Sequence, residues 1–117
     1  QAALATTLAD VGKIDEAEQL ALDARANAGP EDVSARVESM EALGAVRAAQ
    51  GQDADAEDLL LSAIALARES EFKVLEIEPL ARFAAFLRER GRGDEAEAHE
   101  SRLAELNVPA ASTVRTA

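Results

Sequence analysis

Two groups of side chains in this sequence have the type and spacing to do chemistry. Glu95 and His99 lie one helical turn apart, a spacing that puts a carboxylate and an imidazole where both could reach one metal ion. The acidic runs that begin at Asp15, Asp53 and Asp94 set carboxylates side by side, as acid-base catalysis requires. Neither group goes further. His99 is the one histidine and there is no cysteine, so nothing completes a metal shell, and a Glu-His pair on an exposed helix face is a solvated pair. The acidic runs sit where helix starts need them, as caps and as partners of the helix dipole. No residues supply a nucleophile, an oxyanion hole or a cofactor loop, and no Gly-x-x-x-x-Gly-Lys-Ser/Thr phosphate cradle is present. The expectation is a chain that is not an enzyme and holds neither metal nor cofactor.

What the acidic runs do have is a fixed context. They occur in Gly12-Lys13-Ile14-Asp15-Glu16-Ala17-Glu18, Gly51-Gln52-Asp53-Ala54-Asp55-Ala56-Glu57 and Gly91-Arg92-Gly93-Asp94-Glu95-Ala96-Glu97, with apolar helical patterns on both sides. A glycine there ends one helix in a left-handed cap, and an Asp shortly afterwards is expected to cap the next. The unit is a helix, a tight turn and a second helix, three times over.

Taken in order, the first helix carries Leu4, Leu8 and Val11 on one face and stops at Gly12. A second helix, with Ala17, Leu20, Ala21 and Ala24 inward, runs to about Ala28, where Gly29-Pro30 breaks it. The third runs from Glu31-Asp32 to about Gln50, and the fourth, from Asp53, is apolar over an arc wide enough for neighbours on two sides. The fifth is expected as a long helix from Lys73 kinked by Pro79, the alternative being a helix that starts at Pro79. The sixth, about Asp94 to Leu106, is the most polar, as a terminal cap of a stack should be. The domain is thus expected over residues 1–106, in pairs of about 1–28, 31–70 and 73–106, with a flexible tail at 107–117.

Twenty-eight alanines and few β-branched or aromatic residues make the chain all-α by intrinsic propensity. The 117 residues suffice for one folded unit. The chain has no initiator Met and its first residues read as mid-helix, which suggests a piece of something longer. A formal net charge of −11, with basic residues spread singly, repels phosphate backbones and anionic lipid, so neither nucleic acid nor a membrane surface is the expected partner. The most apolar run, Leu59 to Ala67, is about half the ~20 residues that cross a bilayer, and no signal peptide is evident. A cytoplasmic location fits the lack of cysteine.

The repeat reaches beyond the turn. Leu4-Ala5, Leu43-Gly44 and Phe83-Ala84 precede the three glycines at equal spacing, and Ala17, Ala56 and Ala96 follow them at equal spacing, so that small residues let two helices approach closely. This pattern resembles the tetratricopeptide repeat, which implies an α-solenoid of three antiparallel helix pairs coiled as a right-handed superhelix. The spacing of 39 to 40 residues between glycines exceeds the usual ~34 of that family, and its first-helix aromatics are missing. The long period resembles the C-terminal helical region of large bacterial, notably actinobacterial, signalling proteins that carry an adenylate cyclase or an ATPase regulator of transcription.

The resemblance implies an inner groove that binds protein. Its position in the motif assigns to that groove Ala2, Thr6 and Ala9 of the first pair, Glu38, Glu41, Ala45 and Ala48 of the second, and Ala81, Ala85, Arg88 and Glu89 of the third. The Lys and Asn with which family members clamp a terminal carboxylate are absent. An alanine floor with acidic rims suits a protein or peptide partner in the form of an apolar helix with basic flanks. Self-association is the competing expectation: Leu4, Leu8 and Val11 would form an uncovered end through which two copies make a homodimer.

Overall fold

The computed structural model describes residues 2–107, except the side chain of Ala3. It contains α1 (Ala2–Asp10), α2 (Ile14–Asn27), α3 (Val33–Ala49), α4 (Asp53–Glu69), a 3₁₀ helix (Lys73–Glu76), α5 (Ile77–Glu89) and α6 (Gly93–Asn107). No strand occurs among the described residues, so the fold is all-α. The tail expected beyond Asn107 lies outside the described residues, and Asn107 itself is the last residue of α6.

The three glycine turns share one hydrogen-bond pattern. Lys13 N–H donates to Leu8 O at 2.8 Å and Gly12 N–H to Ala9 O at 3.2 Å, and the pairs Gln52 to Arg47 and Gly51 to Ala48, then Arg92 to Leu87 and Gly91 to Arg88, repeat it. This is the two-bond closure of a helix C-terminus around a left-handed residue. The glycines accordingly have φ of +87°, +77° and +75°, a region that costs an L side chain about 1–2 kcal/mol.

The expected Asp caps are not what starts the following helices. Lys13 and Gln52 occupy the N-cap positions of α2 and α4 without a side-chain bond, and Asp15 and Asp53 fall inside the first turn. With Asp94 of α6 they stabilise the helix starts through the dipole instead. Asp32 is the side-chain cap, accepting from Ala35 N–H at 3.0 Å at the start of α3.

Pro79 neither kinks a long helix nor begins one. The segment from Lys73 is 3₁₀ for four residues, and α5 starts at Ile77, which puts Pro79 in its first turn. There the missing N–H has no intrahelical partner to lose.

Helices adjacent in sequence pack together as α1 on α2, α3 on α4 and α5 on α6, while α3 also meets α1, α2 and α5. The small residues of the repeat are where the helices meet: Ala5, Ala17, Ala56 and Ala96 are wholly buried. Gly44 lies so close to α4 that a Cβ on it would stand 3.0 Å from Leu60 Cγ and Cδ2. The breadth of α4 is used as expected, since Leu59 packs with α1, α2 and α3, and Leu60 and Ile64 with α5 and α6. Ion pairs link successive turns: Glu18 of α2 receives Arg47 of α3, and Glu57 of α4 receives Arg92 at 2.8 Å. The resulting body measures 51 × 36 × 22 Å.

Candidate functional site

Helices α1, α3 and α5 leave between them a groove of about 690 Å³. Ala2, Thr6 and Thr7 line it from α1, Glu38 and Glu41 from α3, and Glu78, Ala81, Arg82, Ala85, Phe86 and Glu89 from α5. The α5 residues recur every three or four positions, so one helical face supplies them all.

A single guanidinium crosses this groove. Arg82 donates to Asp10 of α1 at 3.2 and 3.4 Å and to Glu41 of α3 at 3.3 Å, tying three helices together. Glu41 is only 7 % exposed, and its burial raises its pKa above the ordinary carboxylate value. The Arg82 charge opposes that rise, whereas the neighbouring carboxylates Glu78 and Glu38 add to it. Burial works against the charge of Arg82, but Asp10 and Glu41 more than offset it and hold its pKa above the usual arginine value. Glu78 has no hydrogen bond or ion pair among the described residues. Glu38 accepts only a long bond from Ser34 Oγ at 3.5 Å. The groove therefore presents Glu38, Glu41, Glu78 and Glu89 against one arginine that is already shared with Asp10.

Of the residues assigned from sequence, Glu38, Glu41, Ala81, Ala85 and Glu89 line this groove, as do Ala2 and Thr6. Three do not. Ala45 is buried in the cluster of α1, α2 and α3, and Ala48 is half-buried against the cluster of α4, α5 and α6. Both lose their place because α3 is surrounded: every residue from Glu41 to Val46 is buried. Arg88 turns away from the groove and forms a two-pronged bond with Glu100 of α6 at 2.5 and 2.6 Å. Ala9 is buried in the first cluster. Sequence reasoning missed Glu78 and Arg82, although stepping back by seven from Ala85 and by seven from Glu89 along one helix face reaches both.

The residues assigned to self-association divide. Leu4 and Val11 are 53 % and 66 % exposed, whereas Leu8 packs against the first cluster. His99 stacks edge-on against Phe83 with ring centroids 4.9 Å apart, and no group of three or more potential metal ligands exists among the described residues. No described helix is long and apolar enough to cross a membrane. No protein family, curated protein or solved structure matches this chain.

Proposed function

We propose that this chain is a non-catalytic protein-interaction module, a solenoid of three antiparallel helix pairs of the tetratricopeptide type, whose groove binds a helix of a partner protein. The observation that carries the reading is that the groove is lined by α1, α3 and α5, the first helix of each repeat, and by none of the second helices. Three equal turns, each followed by a helix that packs on its predecessor, support the paired arrangement. The exposed methyl groups of Ala81 and Ala85 give the partner an apolar floor, and the surplus of glutamates selects basic residues beside it. In this reading the module belongs to a larger bacterial signalling protein of the cytoplasm.

The test is a pair of arginine substitutions, Ala81→Arg and Ala85→Arg, on the exposed floor. Both should abolish capture of basic helical peptides while leaving the unfolding curve unchanged. Unaltered affinity in the double variant rules out the groove. Ala45 and Ala48 are unsuitable for this purpose, because arginine there would disrupt the core.

A second reading is favoured by Leu4 of α1 and Val11 just after its end, two large apolar side chains that are both exposed. It is self-association through that helix. Leu4→Glu with Val11→Glu should convert a dimer to a monomer in light scattering, and a mass equal to one chain in the unaltered protein excludes the reading.

A further inference from the structure

The groove does not end at its carboxylates. A second depression, of about 340 Å³, is lined by Val37, Glu38 and Glu41 of α3, Val74 and Leu75 of the 3₁₀ helix, and Ile77, Glu78 and Pro79 of α5. Glu38, Glu41 and Glu78 line both, so the two are halves of one surface with the three carboxylates at the join. On the near side lie Ala81 and Ala85; on the far side the surface is apolar, formed by Val37, Val74, Ile77 and Pro79. Val74 is 67 % exposed, and Phe72 just before it is also exposed. Large side chains left open beside an apolar depression mark a docking surface rather than a packing remainder.

Resting on the groove reading above, we infer that the occupant is an amphipathic helix of a partner protein with an apolar anchor next to a basic residue. The anchor enters the depression beside Val74 and Ile77, the basic residue meets Glu38, Glu41 and Glu78, and small side chains follow over Ala81 and Ala85. Charge complementarity fixes the middle of this order. Three carboxylates converge on a join where Arg82 reaches only Glu41, and Arg82 is itself drawn towards Asp10. An added cation offsets the charge of three neighbouring carboxylates, including Glu41, whose pKa is raised chiefly by burial and further by Glu78 and Glu38. The apolar anchor distinguishes this occupant from a merely basic peptide, which gains nothing from the far half. The length follows from the scaffold: α5, Ile77–Glu89, spans about 18 Å at about 1.5 Å per residue, the reach of a helix of about 13 residues.

The experiment is a display selection of randomised helical peptides of about this length on the whole chain, followed by fluorescence anisotropy with the strongest binder. The selected peptides should share a Leu, Ile, Met or Phe within about one turn of a Lys or Arg. Val74→Glu should weaken the chosen peptide by at least about tenfold, and replacing the peptide's anchor with Ser should have the same effect. Because Val74 faces solvent, the variant keeps its fold, which a thermal melt verifies. Selected peptides without an anchor, or binding indifferent to Val74→Glu while Ala85→Arg still abolishes it, overturn the two-part occupant and leave the groove reading standing. Indifference to Ala85→Arg, or the absence of any selected binder, overturns both.

Discussion

Glu76 is the most demanding residue of this fold and gives the sharpest test of what holds its last repeat in place. Its side chain is wholly buried, and its carboxylate accepts from Arg68 Nε at 2.7 Å and from Arg102 Nε and Nη2 at 3.0 Å, which joins α4, the 3₁₀ helix and α6. Burial alone would raise its pKa, but the bonds from Arg102 and Arg68 win and lower it. Glu76→Gln keeps the shape, removes the charge and presents an amide donor to two guanidinium groups. Breaking a buried pair costs about 3–5 kcal/mol when a charge is left stranded. Here the arginines are 48 % and 31 % exposed and recover water, so about 2 kcal/mol is the expected loss. At roughly 4 °C per kcal/mol for a chain of this length, the melting temperature should fall by about 8 °C near neutral pH. The sign with pH follows from the lowered pKa: the stabilisation is present above the unfolded value and is lost as pH falls through the folded one. The gap between native and variant chains, followed by circular dichroism, should therefore close on acidification. A gap under about 2 °C at neutral pH, or one that persists unchanged in acid, refutes the assignment of this stability to the ion triad.

Other substitutions separate packing from backbone strain. Gly44→Ala forces a methyl group onto Leu60, itself buried, and overpacking of about 1–3 kcal/mol should outweigh the helix-propensity gain of about 1 kcal/mol; a more stable variant in urea titration would show that α3 and α4 can move apart. Gly51→Ala meets no neighbour but must hold φ near +77°, so it should cost about 1–2 kcal/mol by strain alone. Gly29→Ala also meets open space, without a left-handed φ, and should be neutral or stabilising by up to about 1 kcal/mol; equal losses at both glycines would refute the distinction. Affinity for a basic peptide should decline on acidification beginning above the ordinary glutamate value of 4.5, because the raised pKa of Glu41 lets it take up a proton early. Glu41→Gln should remove that early part of the decline in a binding titration.

The helices and their turns were legible because short-range chemistry decides them: glycine at three left-handed positions and alanine or glycine at the crossings leave little choice. The small errors at their edges have the same origin. Gln52 rather than Asp53 caps α4, since the two-bond closure around Gly51 already fixes where the next helix begins, and the acid one residue later acts through the dipole. The groove was legible only in part, because exposure on a helix is a tertiary property. Periodicity puts Glu38, Glu41, Ala45 and Ala48 on related faces of α3, but α1 and α2 both press on that helix and bury Ala45. Arg88 and Arg82 have the same type and lie six residues apart on one helix. Their roles differ because Glu100 waits on α6 for one, and Asp10 and Glu41 across the groove for the other.

The arginines also decide which of the acids behind the net charge of −11 are paired. Arg47, Arg68, Arg82, Arg88, Arg90, Arg92 and Arg102 are all engaged with carboxylates of this chain, most of them between helices. Such pairs are individually weak at a surface, so their effect lies in which acids they neutralise more than in the stability they add. They neutralise the seams between repeats. In the groove the single guanidinium is divided between Asp10 and Glu41, and Glu38 and Glu78 have no cationic partner among the described residues. In the proposed reading, these carboxylates, with an apolar floor on one side and an open valine on the other, would attract a basic helix whose uncharged face the same surface receives.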